Sequence, residues 1–434
     1  MRKVLIRTGT SPLETPDIDW IFDKDRIGGN SGNLIYQYSV YRALMTEGTE
    51  FTSRYFRADN CTPEFIEQVN SEYDCVILPL ANAFRTSFQL KPLTAFIRQM
   101  KIPCVVVGCG LQADSLEQMR AGLPFDGDAR EFVSAVLDHS AMLGLRGEMT
   151  AEYLQRLGFV PEKHFTVTGC PSMFSRGLNL PQVRTGELTK DSRISVNTRL
   201  KQVRPLHSLI TKAIEEHPNY HLVFQKKEEF ALIRYGVPII ANTSAEKDNN
   251  GYYPRNLRHE AVKSGRAIGF VNAHAWHEYM KQKDFSFGSR IHGNIAAVLN
   301  GTPAFVFTTD TRTEELCRYH NIQHMPAAQV QEGWDIRDVY EKADFTSVHR
   351  GHAERFGHFV DFLNANGLEH IYKDSLDPQD VPFDRALETL PDWGRIQYEG
   401  VSLSMRMKGG FAYKEIAKKV GQKAEKTVKK LIKR

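Results

Sequence analysis

The 434-residue sequence has no apolar run approaching the roughly 18 residues of a membrane helix. Its opening, Met1-Arg-Lys-Val-Leu-Ile-Arg7, is too short for the apolar core of a secretion signal and reads as a first strand. Six cysteines are present (Cys61, Cys75, Cys104, Cys109, Cys170 and Cys317). They form no CxxC pair, and no His/Cys spacing resembles a zinc site, so no metal is expected. Cys75 and Cys104 fall in apolar stretches and read as core thiols. A reducing, cytoplasmic location is the expectation. There is no GxGxxG fingerprint and no Walker loop. No internal repeat is visible, and no low-complexity segment precedes the tail. The body also lacks basic patches interleaved with aromatics, which argues against nucleic acid as a partner.

What is present is an ordinary globular composition, with charge unevenly placed. Residues 409–434 hold nine Lys/Arg against two Glu, a charge of +7, so the overall +4 leaves −3 for the other 408 residues. The tail is a basic appendage. It has helical periodicity, with Tyr413, Ile416, Ala417, Val420, Ala424, Val428, Leu431 and Ile432 in one stripe and lysines elsewhere. Such a helix suits an anionic membrane surface; a solvated or self-associating helix fits equally.

Ahead of the tail, strands alternate with single helices, which predicts parallel sheets covered on both faces. Val4–Arg7, Asp74–Pro79, Pro103–Val107, Met142–Arg146 and Phe165–Pro171 read as strands of a first unit. Residues 175–192 are polar and aperiodic and read as a linker. A second unit opens at Arg193–Arg199 and continues through Tyr220–Phe224 and Ala267–Val271. Residues 241–254, rich in Asn, Asp and Gly, read as a surface loop. The expected division is 1–180 and 190–345 as two doubly wound α/β domains facing a cleft, a helical extension over 346–408, and the tail 409–434.

The most informative stretch is Asp284–Phe307. It reads as strand, turn, helix from about Ile291 to Asn300, glycine stop at Gly301, and strand. Ser289, Arg290 and His292 sit where a strand's carboxyl end meets a helix N-terminus, a place where α/β sheets bind anions. Arg290 could fork onto a carboxylate or phosphate, and His292 could act as general acid or base. The helix N-terminus would hold the imidazole largely neutral. A solvent-facing His and a surface-paired Arg would explain the turn equally well. Arg146 and Arg199 end strands in the same way, and three such arginines on one cleft suit a substrate with several negative charges. The turn Gly28-Gly29-Asn30-Ser31-Gly32-Asn33 could cradle an anion or sugar, or simply cap a helix. Asp310, Glu314 and Glu315 follow a strand and could offer a carboxylate, though Asp310 could also cap a helix. The turns Gly108-Cys-Gly110 and Gly169-Cys-Pro171 have no activating base adjacent in sequence. His274 and His277 lie three apart on an expected helix, where a surface face is favoured over a metal pair.

These motifs resemble the polysaccharide pyruvyl transferase family over about residues 1–325. The carrying features are Gly29-Asn-Ser-Gly32, Leu145-Arg-Gly-Glu through Gly158, Val196-Asn-Thr-Arg199, and Gly288-Ser-Arg-Ile-His-Gly through Pro303. The resemblance implies a GT-B-like fold and transfer of pyruvate from phosphoenolpyruvate, as co-substrate with no further cofactor, to sugar hydroxyls as a ketal. The acceptor would be a cell-surface polysaccharide or its lipid-linked precursor. Arg290 and His292 then carry over to the donor site and its chemistry, Ser289, Arg199 and Arg146 to donor binding, and Gly29 to Asn33 to the acceptor or loop. The chain departs from the family's pattern at Asn33, at Cys170, where many members have Asp, and over Thr308–Arg312. A GT-B glycosyltransferase using a nucleotide sugar, and a non-catalytic glycan-binding protein, are the alternative readings.

Overall fold

The computed structural model describes residues 1–113 and 115–410. The basic tail therefore lies outside the described residues, apart from Gly409 and Gly410. In the first domain the strands are β1 (Arg2–Ile6), β2 (Thr49–Ser53), β3 (Cys75–Pro79), β4 (Cys104–Val107), β5 (Leu143–Leu145) and β6 (Phe165–Val167). The order β2-β1-β3-β4 is parallel throughout. A parallel bridge, Cys109 to Leu145, carries the sheet on to the β5-β6 pair. Alternation of side chains decides the two faces. Val4, Ile6, Ile77, Val105 and Val107 enter one core, and Leu5, Val76, Leu78, Cys104 and Val106 the other.

The second domain has β7 (Ile194–Val196), β8 (His221–Phe224), β9 (Ala267–Phe270), β10 (Phe285–Gly288), β11 (Ala304–Thr308), β12 (His324–Pro326) and β13 (Arg395–Gln397). Their order is β12-β11-β10-β7-β8-β9-β13, parallel except for β13. The chain thus winds outward in both directions from β7 and β10. This leaves a topological switch point between those two strands, and another between β1 and β3 in the first sheet. Both open at carboxyl ends, and these ends face one another across the cleft.

Residues 346–408 are not only helical, because β13 pairs with β9 and completes the second sheet. Before doing so the segment crosses back to the first domain. The helix His352–Ala365 stacks Phe359 on Phe174 at 5.1 Å, and Asn366 Oδ1 accepts from the backbone N–H of Ala141 and Met142. Arg42, on the helix Gly32–Leu44, forks onto Asp384 at 2.7 Å. The linker is pinned as well, with Arg176 and Arg184 donating to the carbonyls of Leu299 and Asn300. Among the described residues no helix is long and apolar enough to cross a membrane.

Candidate active site

Gly288 ends β10 so close to Asn197 that a side chain there would meet the Asn197 carbonyl oxygen at 2.3 Å. Arg290 N–H then donates to that same carbonyl at 2.9 Å. The ends of β7 and β10 are therefore tied together at the switch point, and the helix Ile291–Val298 starts there. Ser289, Arg290 and His292 line a cleft of about 430 Å³ together with Arg146 and Arg199. The cleft also takes Arg7, Arg26, Arg85 and Arg312, none of which the sequence singled out as site residues. Arg7 follows β1 as Arg199 follows β7, so the strand-end rule could have found it. Arg26 and Arg85 lie on loops that only the fold brings to the cleft.

Arg290, expected to fork onto an anion, already forks onto a partner within the fold. Its two terminal nitrogens donate to the two carboxylate oxygens of Glu229, one of them at 2.6 Å. Arg290 is 7% and Glu229 3% exposed. Glu229 also accepts from the backbone N–H of Gln225 and Lys226 and from the Tyr253 hydroxyl. Burial pushes the Glu229 carboxyl up, but Arg290 and these donors outweigh it and hold it below the ordinary range. Tyr252 and Tyr253 are buried beneath the cleft. The stretch 241–254, expected at the surface, is largely exposed from Asn242 to Gly251 but ends in these two buried rings, and the Tyr253 hydroxyl supports Glu229. His277 is also buried, bonded to Asn300 at 2.8 Å, rather than on a surface face.

The other arginines are differently placed. Arg7, Arg26, Arg85, Arg146 and Arg199 form no ion pair within 4.0 Å among the described residues. Nε of Arg26, Arg85 and Arg199 is buried with no hydrogen-bond partner among the described residues. Burial pulls Arg7, Arg26, Arg85 and Arg199 below the usual arginine range, yet a guanidinium stays charged at any working pH. Arg146, 1% exposed, donates from Nε to the Gly108 carbonyl at 3.0 Å and lies over the Tyr36 ring at 5.2 Å. Among the described residues the cleft lining holds one carboxylate, Asp310. Asp310 caps the helix Thr311–Tyr319 through Thr313 N–H at 2.8 Å and pairs with Arg312 at 3.4 Å. Glu315 faces away and accepts from Thr150 N–H at 2.8 Å.

His292 is held neutral, as expected, though chiefly for another reason. Burial lowers its pKa well below the usual value, and the charges of Arg146 and Arg312 lower it further. Its Nε2 lies 3.8 Å from Cys170 Sγ. The histidine missing from the sequence neighbourhood of Cys170 is thus supplied by the other domain. Ser289 Oγ accepts from the Gln202 amide. In the glycine-rich turn, Asn30 and Asn33 reach the cleft with Gly28. Ser31 is buried, and its N–H donates to the Gln225 carbonyl at 2.8 Å, bridging the domains. Asn33 Nδ2 closes the turn on the carbonyls of Ile27 and Gly28.

Two doubly wound domains, meeting at their switch points over a cationic cleft, make this a two-domain α/β protein of GT-B-like architecture. The chain belongs to the polysaccharide pyruvyl transferase family, whose model matches residues 15–311. No curated protein matches the sequence. Among solved structures it is similar to UDP-GlcNAc 2-epimerase from Neisseria meningitidis bound to UDP-GlcNAc, at 12% identity and TM-score 0.43, covering 84% of this chain and 100% of that one. It is also similar to a functionally uncharacterized protein from Klebsiella pneumoniae, at 13% identity and TM-score 0.36, covering 73% and 87%.

Proposed function

We propose that the protein transfers the pyruvyl group of phosphoenolpyruvate to two hydroxyls of a cell-surface glycan or its lipid-linked precursor. The observation that carries this reading is the set of arginines around His292 that have no acid partner among the described residues. Phosphoenolpyruvate brings a carboxylate and a phosphate, and buried guanidinium groups bind both strongly where water is excluded. In the reaction a proton adds to the methylene carbon and a sugar oxygen bonds to the neighbouring carbon. Phosphate then leaves and a second oxygen closes the ketal. Of the two hydroxyl protons, one ends on the new methyl group and the other leaves with phosphate. His292, whose pKa burial lowers, is the base for a hydroxyl proton, and its imidazolium is the acid that returns one. Arg146, Arg199, Arg7 and Arg85 hold the donor and stabilise charge on the departing phosphate, while Arg290 is fixed by Glu229 and shapes the floor. Gly28, Asn30 and Asn33 face the acceptor.

The test is release of inorganic phosphate together with a ketal methyl signal on an oligosaccharide acceptor. Arg146→Gln is expected to lower the rate by roughly 10²-fold or more. A folded protein that does not bind phosphoenolpyruvate, or whose binding is indifferent to Arg146→Gln, would overturn the reading. A nucleotide sugar is the competing ligand, favoured by a chamber of about 840 Å³ that shares Arg199, Thr309 and Asp310 with the cleft and is lined by Val203, Pro326 and Ala327. Thermal stabilisation by nucleoside diphosphates and not by phosphoenolpyruvate would support it. The tail would place the enzyme at the cytoplasmic face of an anionic membrane. Co-sedimentation with anionic vesicles should then be lost on truncation before Gly409.

A further inference from the structure

We infer that Cys170 is a positioning residue that fixes the tautomer of His292, so that Nδ1 is the nitrogen that takes the hydroxyl proton. This rests on the reading of His292 as the proton carrier, and deepens it by assigning the atom. Cys170 is fully buried after β6, on the first domain, whereas His292 belongs to the second. The thiol donates to Ser172 Oγ at 3.2 Å. With its proton directed there, the sulfur faces His292 Nε2 at 3.8 Å as an acceptor, within reach for the large sulfur atom. Arg146 donates to the same sulfur from its own terminal nitrogen at 3.6 Å. A sulfur receiving one N–H from Arg146 and giving its proton to Ser172 is left to receive a second N–H from Nε2. A protonated Nε2 in a neutral ring leaves the lone pair on Nδ1.

Nδ1 faces the glycine-rich turn of the first domain. A side chain on Gly32 would lie 3.1 Å from both Nδ1 and Cβ of His292. The glycine at the first turn of the helix Gly32–Leu44 therefore lets the ring approach this turn beside Asn30, with both His292 and Asn30 lining the cleft. Besides burial, the charged groups that act on the ring are Arg146 after β5 and Arg312 on the helix Thr311–Tyr319. Tyr36 lies behind them and donates to the Val107 carbonyl.

The test uses the full-length protein labelled with 15N in the histidine rings, with His292 assigned by the signals lost in His292→Gln. The expected spectrum of the free protein shows the Nε2–H tautomer. Cys170→Ser, which keeps an acceptor, retains it, and Cys170→Ala gives a mixture. In turnover, Cys170→Ala is expected to lower kcat about tenfold or more with KM for phosphoenolpyruvate little changed. Cys170→Asp is expected to move the acid limb of the kcat/KM profile to higher pH, because a carboxylate facing Nε2 favours imidazolium. An Nδ1–H tautomer in the wild type overturns the inference. So does a tautomer and pH profile unchanged in Cys170→Ala. Should Cys170→Ala fail to fold, the wild-type spectrum and Cys170→Ser still decide. The spectra need no substrate, so their failure is distinct from failure of the pyruvyl-transfer reading.

Discussion

At the scale of single residues, the site depends on where each buried charge finds its partner. Arg290 and Glu229 are buried together, and removing one partner leaves the other uncompensated. Glu229→Gln is expected to cost about 3–5 kcal/mol in urea unfolding, far more than the loss of a surface ion pair. The pH dependence has a definite sign. Glu229 is held below its ordinary value, so its stabilisation is present above pH 4.5 and is lost as pH falls through the folded value. The wild type's advantage over Glu229→Gln should shrink under acid, and an advantage independent of pH would contradict the pairing. Gly32→Ala tests the opposite situation, a space rather than a charge. Alanine favours a helix over glycine, so thermal stability should hold while kcat falls about tenfold or more through crowding at His292. Sequence flagged Arg290 and His292 from their turn. It could not flag Glu229, and though it marked Cys170 it could not set it against His292, because these pairings are made by chain segments far apart.

At the scale of elements, the helix Thr311–Tyr319 joins the two domains along one edge of the cleft. Thr311 Oγ1 donates to the Ala113 carbonyl at 3.0 Å, and the Tyr319 hydroxyl to the Val167 carbonyl at 2.8 Å. His320 follows it and accepts from Cys170 N–H at 2.8 Å. Midway, Glu315 caps the helix Glu148–Arg156 from the other domain. Burial raises its carboxyl from 4.5 to about 7, despite the Thr150 donors. The protonated form is therefore favoured in the fold. Its contribution is full below pH 4.5 and is lost as pH rises through about 7. Glu315→Gln removes this titration. Between pH 4.5 and 8 the wild type should lose on the order of 3 kcal/mol relative to the variant, read by urea unfolding at each pH; parallel profiles would refute it. The strand–helix–strand unit around Ile291 was legible from periodicity and from its glycine stop. Strand β2 and the helices Pro63–Glu72 and Leu90–Ile97 were not, since their apolar faces are short or mixed and only tertiary packing selects them.

At the scale of the whole molecule, the near-neutral body conceals a concentrated positive field. Low-dielectric walls focus it in the cleft. The thermal shift produced by phosphoenolpyruvate should therefore shrink between about 50 and 500 mM NaCl, as screening grows. A shift that does not respond to salt would mean that the arginines do not bind the ligand. The sequence by itself determined two parallel α/β units and the switch-point turn at Ser289 to His292, and from that turn it led to the expectation of an anion. These follow from local periodicity and from the rule that anions gather at strand ends and helix N-termini. Only the tertiary structure decided which arginines are free. It gave Arg290 to Glu229, left Arg7, Arg26 and Arg85 in the cleft, and set Cys170 against His292. Charge pairing depends on distance in space, and residues from opposite ends of the chain meet only once both sheets are formed and face each other.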